Sequence, residues 1–338
     1  MNARLVSRAL RVIKGGISLS SKCFPTTPAP WLPFRDTEIL SKIRTIHYAD
    51  REGKTFENPD FEMRIVGDAT NHFAADLFHR IRMSDAENKK LTVILPSPEN
   101  AVYVSVAAIL NQNQVSARNV HVFFLSEYAN ESGEVAPVGS RYAKSTDFMT
   151  YFYNRLDPSL RMPEENIHFM TTENIQSYSD RIDDCGLGGA DVAYTSVGWT
   201  RIAGIDPVDC YQTESLDEFL KLGSAVITPT EESIAEDSVH GMFGCSGDIA
   251  NVPPKIATIG PRDLAHARDH VELQFKIHAG AASLWQRMSS RQMLFAPITP
   301  AIPASILRLF KGVAYVNTEI AADLQYPDDS DPLVERLF

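Results

Sequence analysis

The chain has 338 residues, 44% hydrophobic and 22% charged, enough to bury one large core or one core with a small appendage. No apolar run approaches the roughly 18 to 20 residues of a membrane span, and no internal repeat or low-complexity tract is visible, which argues against membrane and solenoid classes. The formal charge is −11, and residues 1 to 35 contribute +6 of it with no Asp or Glu, leaving −17 on residues 36 to 338, an acidic body that argues against nucleic acid as a main partner.

Taken in order, the first stretch stands apart. Arg4, Arg8 and Arg11 fall on one helical face and Leu5, Ala9, Val12 and Ile13 on another, in a Ser-containing segment free of acid. That is the composition of a mitochondrial transit peptide, and equally of a basic N-terminal arm or of a start placed upstream. Cytoplasm is the expected compartment, with the mitochondrial matrix as the alternative if residues 1–25 are cleaved. The Pro-rich TTPAPWLPF of residues 26–34 reads as an extended connector. The four cysteines, Cys23, Cys185, Cys210 and Cys245, form no C-x-x-C pair and fit a reducing compartment.

From residue 36 the pattern is regular. Residues 36–46 predict a short helix capped by Asp36 or Thr37, and residues 61–66 alternate as a strand. Residues 69–83 predict a helix with Phe73, Leu77, Phe78 and Ile81 on its apolar face. The almost unbroken apolar run LTVILP (91–96) implies a strand buried on both sides. A helix over 100–110, a strand and its terminal loop over 119–128, and a helix over 146–156 follow. The alternation continues through 167–169, 177–184, 190–195, 216–222, 255–259, 261–268, 271–278, 281–288 and 313–316. It specifies an α/β fold: a doubly wound, mainly parallel sheet with helices on both faces. The domain organisation expected is a basic arm and connector (1–35), one α/β domain (36–325) and a C-terminal tail (326–338).

Four loops should meet at the carboxyl edge of such a sheet, where open α/β folds place their sites: residues 96–100, 126–128, 199–206 and the loop after His278. These loops carry a resemblance. LTVILPSPENA, VHVFFLSEY, the Pro163-Glu164-Glu165-Asn166-Ile167 element, SVGWTRIAGIDP and VPPKIATIG occur in the order of similar stretches of the glucosamine-6-phosphate deaminase/isomerase family. The 6-phosphogluconolactonases, which share that fold, are resembled more loosely. The likeness covers about residues 60 to 320 and implies the family's modified Rossmann fold, with a sugar or sugar phosphate as small-molecule ligand, no cofactor and no metal.

The family's chemistry transfers less completely. The resemblance implies a carboxylate that moves a proton between two sugar carbons, at the position occupied here by Ser126. A neutral hydroxyl cannot abstract a carbon-bound proton near pH 7, and a positioned base is typically worth ~10²- to 10⁴-fold. The ring-opening Asp-Gly-His is replaced by Trp199-Thr200-Arg201, without a histidine. Its closing Glu is matched by Asp206, a catalytic candidate that could equally open a turn before Pro207. Glu127 is a candidate displaced base, although strand alternation points it away from the side Ser126 faces.

Phosphate binding is altered too. The family's glycine loop at a helix N-terminus reads Ser97-Pro98-Glu99-Asn100 here, with Pro98 lacking an N–H and Glu99 adding negative charge. Arg201 or a protonated His240 could restore a cation; an Arg beside a Trp could equally be surface packing. His266 and His270, four apart on a predicted helix, have a metal-compatible spacing but read better as a solvated face, so no metal ligand is assigned.

Candidate catalytic residues are therefore Asp206 and Glu127, and candidate substrate-binding residues Ser97, Asn100, Ser126, Trp199, Thr200, Arg201 and His240. Two functions follow: a sugar-phosphate isomerase or deaminase-like protein with a remodelled site, or an inactive relative serving as a ligand-binding or protein-interaction scaffold. Family members are often oligomers, which admits a homo-oligomer.

Overall fold

The computed structural model describes residues 26–96, 100–202, 205–206, 213, 215–274 and 286–324. Residues Trp31–Leu324 form a compact unit by themselves. In chain order its elements are α1 (Thr37–Arg44), β1 (Phe61–Val66), α2 (Ala69–Glu87), β2 (Leu91–Leu95), α3 (Asn100–Asn113), β3 (Val120–Phe124), β4 (Ser126–Ala129), α4 (Lys144–Tyr151) and β5 (Ile167–His168). There follow α5 (Tyr178–Gly186), β6 (Val192–Thr195), α6 (Leu216–Phe219), β7 (Ala225–Ile227), α7 (Glu231–Ser238), β8 (Lys255–Thr258), α8 (Pro261–His266), β9 (His270–Gln274), α9 (Gln286–Phe295), β10 (Gly312–Asn317) and α10 (Thr318–Ala321).

Local chemistry sets the boundaries. Asp36 caps α1, its carboxylate accepting from Glu38 N at 3.0 Å and Ile39 N at 2.9 Å. Asp68 does the same for α2, which ends where Asn88 turns left-handed at φ 49°. Phe73, Leu77 and Ile81 are buried on that helix as its apolar spacing requires.

Seven strands make one sheet in the order β1-β10-β9-β6-β2-β3-β5, and every neighbouring pair is parallel. Every residue of β2 is buried. Val93 and Leu95 enter the core shared with α2 and α3, while Ile94 enters the core on the other face with Tyr178 and Ile182 of α5. The unbroken apolar run of β2 is thus the signature of a strand covered on both sides. From β2 the chain winds outward through β3 and β5, then returns to β6 and winds the other way through β9 and β10. The order therefore reverses between β2 and β6, and the crevice at their carboxyl ends is where such sheets place ligands.

The stretch 255–259 and the end of the predicted strand 119–128 depart from the parallel sheet. They form a second, antiparallel sheet, β4-β8-β7. Leu125 is the junction: its N–H still reaches Leu95 O at 3.1 Å, whereas its carbonyl accepts from Ile259 N at 3.0 Å. Ser126, Glu127 and Tyr128 consequently sit on the small sheet, opposite Thr258, Ala257 and Ile256. His266 and His270 do not share a helix, because α8 ends at His266 and His270 begins β9.

Candidate functional site

The loop leaving β6 reverses twice within a few residues: Val197 bridges Ile202, and Ile202 bridges Ile205. Gly198 is required where the loop meets α7, since a Cβ there would lie 2.7 Å from Glu236 Oε2 and 2.9 Å from Arg201 Cγ. From this loop Arg201 turns inward and is 5% exposed, which makes it a buried cation rather than a surface residue. Its Nη2 donates to Asp237 Oδ1 at 2.6 Å, and its Nε lies 3.5 Å from Glu236 Oε2. The Trp199 N–H donates to the same Glu236 oxygen at 3.1 Å, and Trp199 O accepts from Ser289 Oγ at 3.1 Å. Thr200 Oγ1 lies 3.4 Å from Thr230 Oγ1 at the start of α7. His240 Nδ1 stands 3.9 Å from Asp237 Oδ1.

Asp206 is fully buried. Its Oδ1 accepts from Ser233 Oγ at 2.6 Å, from Thr230 N at 3.1 Å and from Thr230 Oγ1 at 3.2 Å. Its Oδ2 is buried with no hydrogen-bond partner among the described residues.

The small sheet supplies the other wall. Lys144 Nζ donates to Ser126 Oγ at 2.8 Å and sits 4.5 Å from the centroid of the Tyr128 ring. Glu127 Oε1 accepts from Lys144 N at 2.8 Å and Oε2 from Ser145 N at 2.9 Å. These are the first N–H groups of α4, whose own cap position, Ala143, offers no side-chain oxygen, so Glu127 caps the helix from a neighbouring strand. Alternation does not separate Glu127 from Ser126, because backbone and side chain of one lysine engage both. Asn100 opens α3 and hydrogen-bonds Asp147 of α4, while its Oδ1 is buried without a partner among the described residues. Ser97 lies outside the described residues.

Burial and mutual pairing set the charges. Burial pushes Glu236 up to about 7 against the pull of Arg201. Burial likewise raises Asp206, opposed by Arg201 and the Ser233 hydroxyl, and raises Glu127, opposed by the Ser145 and Lys144 amides. Asp237 goes the other way: burial alone would raise it, yet Arg201 and Lys144 hold it below the usual carboxylate range. Burial lowers Lys144 although Asp237 and Glu127 favour its charge. Just behind the loop, Glu272 of β9 accepts from Thr195 Oγ1 at 2.6 Å and Val197 N at 2.8 Å, and burial pushes it up to about 8.

The structure therefore brings Trp199, Thr200, Arg201, Asp206 and His240 against one helix that sequence reasoning missed, α7, while Ser126 and Glu127 join them through Lys144, which feels the charges of Asp237 and Glu236. Glu236 and Asp237 of α7, with Lys144, complete the cluster. The signal for α7 was present in Thr230-Glu231-Glu232-Ser233, a capping threonine followed by an acidic first turn, and Thr230 Oγ1 does accept from Ser233 N at 3.3 Å.

The architecture is shared with solved structures. A monomeric glucosamine-6-phosphate deaminase aligns with TM-score 0.60 at 16% identity, over 77% of this chain and 98% of that one. A 6-phosphogluconolactonase from Trypanosoma cruzi aligns with TM-score 0.54 at 13% identity, over 81% and 99%, and one from Thermotoga maritima with TM-score 0.52 at 15%, over 78% and 100%. This chain has their fold. No family model and no curated protein matches the sequence. The mainly parallel sheet with its helices agrees with the resemblance carried by the sequence motifs, and at these identities the agreement concerns fold.

Proposed function

We propose that this chain binds a sugar or sugar phosphate at the β2/β6 crevice and does not carry out the aldose–ketose proton transfer of the deaminases whose fold it shares. The observation that carries the reading is the Oδ2 of Asp206, unpartnered among the described residues, a buried acceptor in a cluster where Arg201, Lys144, Glu127, Glu236 and Asp237 all engage one another or the backbone. An unsatisfied buried acceptor costs about 1–3 kcal/mol, a penalty that a ligand hydroxyl would relieve. Asn100 Oδ1, at the start of the helix after β2, is a second acceptor of the same kind. Two such atoms suit the donors of a polyhydroxylated ligand.

Support for silence toward proton transfer comes from what the other side chains are doing. At position 126 a serine hydroxyl faces an ammonium group, and Glu127 has both oxygens on helix amides. Arg201, the cation available to a phosphate, already faces Asp237 and Glu236.

The test is a proton NMR time course of glucosamine-6-phosphate, with free glucosamine and 6-phosphogluconolactone in parallel, at high protein concentration. Ligand line broadening without product is expected, with Asp206→Asn weakening binding at least about tenfold, the loss expected for one hydrogen bond to a charged group. Equal broadening by the free sugar identifies the hydroxyls as the recognised groups, and stronger broadening by the phosphate adds a phosphate subsite to the reading. Fructose-6-phosphate formation that Asp206→Asn abolishes would overturn the proposal in favour of a rebuilt isomerase. No broadening by any of the three compounds would overturn it in favour of a protein-interaction scaffold.

A further inference from the structure

The amino half of the parallel sheet, away from the β2/β6 crevice, gathers three side chains that take no part in the site above. His121 is the second residue of β3 and His168 the last of β5. Phe123 is the register partner of His168, so period-two alternation puts His121, Phe123 and His168 on one face, with Thr92 of β2 beside His121. Helix α5 covers that face through Tyr178, Ile182 and Cys185, spaced i, i+4, i+7. Tyr178 meets Phe123 edge-on at 5.5 Å, and Cys185 Sγ lies 3.6 Å from Thr92 Oγ1. The two imidazoles stack with centroids 5.5 Å apart and planes inclined by 12°, and His121 Nδ1 lies 3.2 Å from His168 Nε2. One donor atom from each of His121, His168 and Cys185 falls within 4.8 Å of the other two.

We infer that His121, His168 and Cys185 form a binding site for a d10 cation of the zinc class, held by two imidazole nitrogens and one thiolate, with a fourth position left to water. This is the donor set that borderline and soft cations prefer, and hard cations such as Mg²⁺ and Ca²⁺ do not. Around a tetrahedral zinc, bond lengths of about 2.0–2.3 Å place neighbouring donors about 3.3–3.8 Å apart. The nitrogens already have that spacing, and the half-buried sulfur has to approach by no more than about 1.5 Å on that geometry.

Each imidazole in its neutral form offers one ring lone pair to a cation. Metal binding requires both metal-facing nitrogens unprotonated, which puts the ring hydrogens on His121 Nε2 and His168 Nδ1. His168 Nδ1 now faces Arg181 Nη2 at 3.4 Å, and Arg181 is exposed, so it can turn into solvent. The thiol loses its proton to solvent as the sulfur–metal bond forms, and that negative charge offsets part of the repulsion from Arg181 beside His168. The histidines with a metal-like spacing in the sequence lack this freedom. His266 Nδ1 lies 3.0 Å from Asp183 Oδ1, and both nitrogens of His270 face carbonyls, Lys311 O at 2.9 Å and Leu264 O at 2.7 Å.

The test is a Co²⁺ titration of the full-length, chelator-dialysed protein, followed by Zn²⁺ displacement in competition with a chromophoric chelator. One equivalent of Co²⁺ is expected, with a thiolate-to-cobalt charge-transfer band that Zn²⁺ removes. Cys185→Ser should abolish the band, and Cys185→Ser and His168→Gln should each weaken Zn²⁺ binding at least about tenfold, a floor set by what loss of a supporting group alone costs. His266→Gln and Cys245→Ser should change nothing. Zn²⁺ should also raise the thermal midpoint of the wild type and not of Cys185→Ser. Circular dichroism checks that each variant is folded, and His121→Asn replaces any that is not. The inference is overturned if the wild type shows no thiolate band, or if band and affinity survive in the Cys185, His168 and His121 variants.

Discussion

Arg201 faces two carboxyl groups of α7 from a position that is 5% exposed, so its removal reports on the whole cluster. Breaking a buried pair from one side leaves uncompensated charge and costs about 3–5 kcal/mol. Arg201→Leu should therefore lower the unfolding free energy by that amount in urea at pH 8, and by less at pH 6. The difference arises because Glu236, pushed up to about 7 with the arginine present, can take a proton instead of remaining charged. A loss under about 1 kcal/mol at pH 8 would mean that Arg201 reaches solvent and acts like a surface pair. Asp206 shows the limit of reading single residues. Its charge and its place before Pro207 are legible in the sequence, but the partners of its Oδ1, Thr230 and Ser233, lie more than twenty residues on.

At the scale of elements, α7 is the piece on which the site depends. It is short, acidic and weakly apolar, so neither length nor periodicity announces it, and its stability rests on its cap and on the partners of Glu236 and Asp237. Thr230→Ala removes the side-chain oxygen that accepts from Ser233 N and the hydroxyl that donates to Asp206. It should cost about 1–2 kcal/mol, the upper part of the range for losing a cap, measured by urea unfolding. Thr230→Ser keeps the oxygen and should recover most of that loss. The long elements were legible because apolar spacing or an unbroken apolar run fixes them locally: α2 through Phe73, Leu77 and Ile81, and β2 through its burial on both faces. The stretch 255–259 was legible as a strand but not as a member of a second sheet. Propensity says that a segment is extended, while its partner depends on where Leu125 turns.

Across the whole molecule, buried titratable groups couple folding to pH. Glu272, Glu236 and Asp263 are raised in the fold to about 8, 7 and 6, so the native state binds protons that the unfolded chain has released, and their contribution to stability is lost as pH rises toward 8. His168, His121 and His270 are lowered by burial, so the unfolded chain binds the proton first, and stability falls as pH drops below their ordinary value. The opposing slopes meet near about pH 6, where urea unfolding should find the stability maximum, and Glu272→Gln should flatten the decline between pH 6 and 8.5. A maximum at or above pH 8 would contradict the burial of these acids. Among the described residues no helix is long and apolar enough to cross a membrane. The sequence by itself determined the alternation of strands and helices and the mainly parallel α/β class that it implies, since apolar spacing within a dozen residues fixes each long element. Only the tertiary structure decided what the loops between them face. Arg201 meets Asp237, Ser126 meets Lys144, and His121 meets His168 and Cys185 across gaps in the chain that no local pattern records, because side-chain partners are chosen by sheet order and helix placement.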